Sequence, residues 1–376
     1  MSSSKFLATP KPAPDLNIPK SLNTVKVSVI DSTARISVPF SHFLTPALKG
    51  KERIGGPAYS TLIEHPSGRK VLFDLGVRKD WENMAPKIVE TAKEAGWSIK
   101  VEKNVAEILE ENGLRAADIE AIIWSHCHFD HTGDVSTFPS TTALIVGPGF
   151  TSQMTPGYPT NPEAPILESD WAGRELREIS FPSELRIGNF AAYDFFGDGS
   201  FYLLDTPGHA VGHMSALCRT STSSSVGAND TFVFLGGDCC HHGGEFRPTP
   251  YLPLPSSFSP SPLTPHQPHS MCPGSLFTAI HPTFSPVEPF FDITPGVPHD
   301  IDEARKSIRG MEQFDAHEDI FVVIAHDESL LGLMENFPKS LNRWGETGLK
   351  QRGRWAFLQD FGEAVEQMKD TRVWLD

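Results

Sequence analysis

The stretch "SHCHFDHTGD", residues 125–134, decides how the rest of the chain is read. It follows the apolar run "EAIIW", so it has the form of a buried strand whose end delivers polar side chains. In an extended segment, residues two apart point the same way, so His126 and His128 can grip one cation together. If the chain then turns into a helix, Asp130 and His131 face a second site beside the first. Neutral imidazoles and a carboxylate suit zinc, iron or manganese. Histidines gathered by chance on a surface are the alternative, and four ligand-type residues in six argue against it.

Three further elements extend the pattern. In "DTPGHAVGHMS", residues 205–215, the Pro207-Gly208 turn exposes His209 at a strand edge, and His213 is placed to hold a ligand or its loop in orientation. "TFVFLGGD" ends at Asp238, whose carboxylate can bridge two cations where a single imidazole nitrogen cannot. "IFVVIAHD" delivers His326 at the tip of another apolar run. In this order the elements resemble the metallo-β-lactamase superfamily, with its His-x-His-x-Asp-His, then His, then Asp, then His. "VLFDLG" around Asp74 resembles that family's strand-end aspartate, and the match spans roughly residues 24–245 and 301–330.

The resemblance implies an α/β fold, a four-layer αββα sandwich with metals at one edge of the sheets. It implies two divalent metal ions, zinc first and iron or manganese otherwise. His126, His128 and His209 would hold one, Asp130, His131 and His326 the other, and Asp238 would bridge both. A hydroxide between the metals would be the nucleophile of a hydrolase. "TPGHAVGHMS" and "IAHDESL" are most similar to quorum-quenching lactonases and to related fungal hydrolases that open lactones or lactams of small aromatic compounds. Those lactonases carry a tyrosine three residues after the bridging aspartate, where this chain has His241. His241 is therefore a candidate donor to the tetrahedral intermediate or general acid, with a structural role as the alternative, and Asp130 is the candidate relay of a proton to the leaving atom. An undistorted strand would instead put His242 on the face of Asp238.

The expected reaction is the opening of a cyclic ester or amide of a small apolar or aromatic molecule. A thioesterase of glyoxalase II type is the alternative, with Lys339, Arg343, Lys350, Arg352 and Arg354 offered to an anionic carrier. A third reading is a non-catalytic metal-binding scaffold. Cys127, Cys239 and Cys240, though close to these ligands, read as buried packing.

Composition limits the partners. The net charge of −15, from 47 acidic against 32 basic residues, disfavours nucleic acid and anionic membranes. No apolar run approaches the roughly 20 residues of a bilayer span. Five cysteines without an apolar signal segment point to a reducing, cytoplasmic setting. A small-molecule substrate is the expected partner, and the oligomeric state is left open.

Residues 1–23 read as a flexible leader and 24–376 as a single domain, interrupted by a Pro-rich insertion at 247–300 that is a candidate lid. Phe246, Tyr251, Leu252, Leu254 and Phe258 are its candidate pocket residues, and 38–46 and 150–158 are further candidate walls. Strands are expected over 24–37, at both arms of 59–76, and in the hairpin turning at 197–199. Helices are expected over 104–114, 166–179 and 300–315.

Overall fold

A computed structural model describes residues 5–223, 230–267, 269–368 and 374–375. Residues 1–4 of the leader and 224–229 of the Ser-rich loop lie outside that range. Two six-stranded sheets form the centre, and in each the strands lie in chain order. The first runs through Lys26–Ile30, Ser60–Glu64, Lys70–Phe73, Ala121–Ile123, Ala143–Val146 and Leu176–Glu178. Its first three strands are antiparallel and the rest parallel. The second holds Arg186–Ile187, Phe190–Asp194, Phe201–Asp205, Met214–Ser221, Thr231–Leu235 and Ile320–Val323. Only its last pair is parallel.

Side-chain alternation builds four layers. Val27, Val29, Ile63, Val71, Phe73, Ile123 and Ile145 of the first sheet meet Leu203, Ala216, Val233, Leu235 and Val323 of the second in one core. Their chain neighbours Leu62, Leu72, Ile122 and Leu144 point outward onto the helix Val105–Glu111 through Val105, Ala106 and Leu109. On the far side, Leu204, Leu217, Phe234 and Val322 pack on Ala304, Ile308, Met311 and Phe314 of the helix Ile301–Asp315. Sheets covered on both faces need continuous apolar runs, as "AIIW" and "TFVFL" are. The order helix, sheet, sheet, helix is the expected αββα sandwich.

Local signals fix the two helices. The Asn104 N–H donates to Glu107 at 2.7 Å in a capping box. Asp300 accepts the N–H groups of Asp302 and Glu303 at 3.0 and 3.1 Å. Two other expectations are corrected. Residues 24–37 do not make one strand: the chain breaks at Thr33 (φ +62°). Arg35–Pro39 then joins a separate sheet with Arg53–Gly56 and Ser98–Lys100. Residues 166–179 form only a short turn at Glu168–Asp170, followed by the edge strand Leu176–Glu178. Gly173 (φ +76°) interrupts the helical pattern, and parallel pairing with Leu144–Val146 takes the remainder.

The Pro-rich insertion packs into a core shared with Ile36, Val38, Phe40 and Ile54 and with the C-terminal region. Leu254, Phe258, Phe277, Phe290 and Phe291 pack with Phe357, Leu358 and Phe361 of the C-terminal region. The segment expected as a leader runs along it, with the Leu7 N–H donating to the Leu254 carbonyl at 2.9 Å and that of Lys11 to Pro250 at 2.8 Å. Leu16 is buried and its carbonyl accepts the Gly188 N–H. Among the described residues no helix is long and apolar enough to cross a membrane.

A buried ion pair ties the insertion to the sandwich: Arg247 meets both oxygens of Asp315 at 2.8 and 2.7 Å. Burial alone would raise the Asp315 pKa, but Arg247 overrides it and brings it to about 2. A depressed carboxylate pKa contributes stability above the unfolded value, lost as pH falls through the folded one. This contribution is therefore present above about pH 4 and fades towards about pH 2. Arg247→Ala strands a buried carboxylate, and urea unfolding at neutral pH should show a loss of about 3–5 kcal/mol.

Candidate metal centre

Strand ends from both sheets converge on one cluster. The first sheet delivers His126 and His128 just beyond Ala121–Ile123, and the short helix Phe129–Thr132 turns Asp130 and His131 towards the same space. The second sheet delivers His209, Asp238 and His326 beyond its strands. The ligand atoms fall into two groups, His126, His128, His209 and Asp238 in one and Asp130, His131 and His326 in the other. Within each group all ligand atoms lie within 4.8 Å of one another.

Asp238 stands between the groups. Its Oδ1 lies 3.1 Å from Nε2 of both His131 and His326. Its Oδ2 faces His209 Nε2 at 3.5 Å and His126 Nε2 at 3.8 Å. The imidazoles of the first group also point their nitrogens at each other, His209 Nε2 being 3.2 Å from His126 Nε2 and 3.0 Å from His128 Nδ1. Burial pushes His126 and His209 well below the ordinary histidine range, so their neutral forms leave lone pairs facing inward. Burial would raise Asp238, yet His131 and His326 hold it well down. Burial would lower His131, yet Asp238 and Asp74 hold it well up. The carboxylate thus demands positive charge on both sides. His131 Nε2, Asp238 Oδ1 and His241 Nε2 are buried without a hydrogen-bond partner among the described residues. Converging orphan atoms of N/O type are what a divalent cation satisfies.

A second layer of contacts aims these ligands. Asp74 accepts the Ser125 N–H at 2.6 Å on one oxygen and holds His131 Nδ1 at 2.8 Å on the other. This directs His131 Nε2 inward, so Asp74 supports the cluster from behind. His213 lies 2.8 Å from the Thr206 carbonyl at Nδ1 and accepts the Asp238 N–H at Nε2, 3.0 Å away. That tautomer fixes the backbone of Asp238, and burial lowers His213 to about 4, keeping it neutral. Gly237 makes the approach possible, since at φ +52° a Cβ would sit 2.9 Å from His213 Nε2. His326 Nδ1 lies 2.7 Å from the Pro57 carbonyl, a donor contact that turns its Nε2 to Asp238.

The choice between His241 and His242 is made by the backbone. After Leu235 the chain turns instead of continuing as a strand, so strand parity does not apply. His241 Nε2 lies 3.3 Å from Asp238 Oδ2. His242 points away, its Nδ1 accepting the Gly244 N–H at 2.9 Å and its Nε2 meeting Asp360 at 3.2 Å. Phe43 stacks on His241, with centroids 3.9 Å apart and planes at 14°.

His241, Asp130 and His326 floor a cleft of about 30 Å³ walled by Ile36, Val38, Phe43 and Ile54. Of the expected walls, 38–46 supplies Val38 and Phe43, while 150–158 supplies none. The insertion reaches the centre through Ile293, Val297 and Pro298, which line a second cavity. Phe246, Leu252, Leu254 and Phe258 are buried in core instead. Sequence reasoning missed Ile36, Ile54 and Glu245, of which Glu245 had a readable sign in its capping-box spacing from His242. The five cysteines are free and buried. Burial pushes Cys127 up to about 12, far from a thiolate. The C-terminal cations are engaged elsewhere, Lys339 with Glu335, Arg343 with Glu346, Arg354 with Glu318, Arg352 with the Thr347 carbonyl, and Lys350 with the carbonyls of His317 and Ile320.

An αββα sandwich with a His/Asp cluster at its strand ends defines a class of metal-binding hydrolase folds. A family model described as the metallo-beta-lactamase superfamily matches residues 53–219. The chain is 48% identical over 366 residues to gamma-lactamase FDB1 of Fusarium pseudograminearum, covering 94% of this chain and 87% of that protein. It is 47% identical over 364 residues to metallo-hydrolase mfmC of Annulohypoxylon moriforme, covering 96% and 93%. A solved structure of a variant of AiiA from B. thuringiensis, with N-decanoyl-L-homoserine at its active site, matches with a TM-score of 0.56 at 18% identity, over 85% of this chain and 99% of that one. The chain belongs to the metallo-beta-lactamase superfamily.

Replacing Asp74 by Asn removes the charge that orients His131. Chelator-competition titration should show divalent-metal affinity reduced about 10–100-fold.

Proposed function

We propose that the chain is a metal-dependent hydrolase that opens a lactam or lactone of a small apolar or aromatic molecule. The carrying observation is that the two ligand groups meet at Asp238, while Asp130 and His326 of one group line a cleft with Ile36, Val38, Phe43 and Ile54 that has no Lys or Arg among its described lining residues. Kinship at 48% identity with a protein named gamma-lactamase supports the cyclic amide. We assign His126, His128 and His209 to one divalent ion, Asp130, His131 and His326 to a second, and Asp238 to both. The mixed nitrogen and oxygen donor set favours zinc, with iron or manganese able to replace it. Bound there, the ions supply Lewis acidity towards the carbonyl and an activated water at neutral pH.

The chain's own residues do the rest. The apolar walls hold the body of the substrate and exclude solvent, which strengthens every polar contact beneath. His241 donates through Nε2 to the carbonyl oxygen as negative charge develops on it. Its ring is held for this by Phe43 on one face. Asp130, 3.4 Å from His326 Nε2 at the cleft floor, takes the proton released when water adds to the carbonyl carbon. It passes that proton to the leaving nitrogen or oxygen as the ring bond breaks. Among the described residues the cleft lining holds no cation that a thioester with an anionic carrier would need, and the C-terminal ones are paired elsewhere.

Two measurements test this. Purified protein assayed with metal analysis against γ-lactams, lactones and thioesters should open the cyclic substrates; cleavage of thioesters alone would overturn the reading. His241→Phe keeps a flat ring without a donor, and kcat should fall about 10²–10³-fold with metal content unchanged. An unchanged kcat would reduce His241 to packing.

A further inference from the structure

His241 lines two cavities, the open cleft and a smaller inner pocket of about 10 Å³. The inner pocket is lined by His209, Asp238, His241 and Glu245 and by Ile293, Val297 and Pro298 of the insertion. That volume is at the lower limit for one water molecule, which also needs 2–4 polar partners.

Glu245 supplies an unusual partner. It is 3% exposed, and its Oε2 accepts the backbone N–H groups of His241 at 2.5 Å and His242 at 3.0 Å. Its Oε1 is equally buried and has no hydrogen-bond partner among the described residues. A buried carboxylate oxygen without a partner is costly, and ordered water is the common remedy where protein donors are lacking. The side chains of His209, Asp238 and His241 line the same pocket, so a water there has polar neighbours besides Glu245.

We propose that the inner pocket binds one water on Glu245 Oε1 and stores it as the replacement for the water consumed in each turnover. The proposal rests on the hydrolase reading. Each ring opening consumes one water: its oxygen joins the carbonyl carbon, and its hydrogens end on the product's carboxyl group and leaving atom. While substrate fills the cleft, bulk solvent is shut out there, and the inner pocket, which Asp238 lines, remains in reach of it. Glu245 takes up no proton in this scheme. It is a positioning residue that holds the loop of His241 with one oxygen and the water with the other.

The test uses two variants of the full chain and the wild type. Val297→Phe fills the pocket from the insertion side with Glu245 and His241 themselves unsubstituted, and kcat should fall about 10-fold while metal content stays at the wild-type value. Glu245→Gln keeps one oxygen for the backbone N–H groups of His241 and His242 but turns an amide towards the water, so the solvent peak and kcat should both fall with metal content unchanged. High-resolution crystal structures should show an ordered solvent peak within hydrogen-bond reach of Glu245 Oε1 in the wild type and none in Val297→Phe. A wild-type pocket without that peak overturns the water site. Wild-type kcat in a Val297→Phe protein whose pocket is seen to be filled overturns the storage role. Should the wild type open no lactam or lactone, the hydrolase reading fails on its own, and the solvent peak still decides whether the pocket binds water.

Discussion

Everything in the site depends on one buried carboxylate. Asp238 sits at 3% exposure with neighbouring imidazoles around both oxygens. A charge so far from water must be matched by positive charge close by. That requirement explains why a single position draws side chains from both sheets, since no one strand can surround a carboxylate. It also explains the contacts that aim each imidazole, Asp74 behind His131 and the Pro57 carbonyl behind His326. His213 performs the same task on the backbone of Asp238 itself.

The sandwich makes this convergence cheap in conformational terms. Strands that end at the same edge deliver their last residues into one space, and the rigid sheets fix the directions. The loops beyond the strands are then free to carry specificity. Here that freedom is used by the connection that forms the small sheet of Arg35–Pro39 and Arg53–Gly56, which walls the cleft, and by the Pro-rich insertion. Asp292–Ile293 of the insertion pairs with Leu44–Thr45, and the Thr294 N–H donates to the Phe43 carbonyl at 2.9 Å. The insertion thereby holds Phe43 against His241. Its influence on the site runs through this clasp and through Val297 and Pro298, while its bulk packs with the C-terminal region.

The legible parts of the sequence were those governed by local rules. Apolar runs stopping at polar clusters marked the strands that end in the site, and the capping residues Asn104 and Asp300 marked two helix starts. Asp74, six ligand-type residues beside it and Asp238 were readable because each stands at a strand end or a tight turn. The failures were long-range. The break at Thr33 and the edge strand Leu176–Glu178 depend on pairing with distant segments, which local propensity does not encode.

The sequence by itself determined the strand-end positions of the His/Asp cluster and the lack of basic character. These follow from residue type and spacing along one segment at a time. Only the tertiary structure decided that His241 and not His242 enters the site, because the chain turns after Leu235. It alone decided which insertion residues reach the centre and that Glu245 lines a pocket with His241. These outcomes depend on how segments far apart in sequence fill the same volume, and close packing leaves that choice to the whole chain.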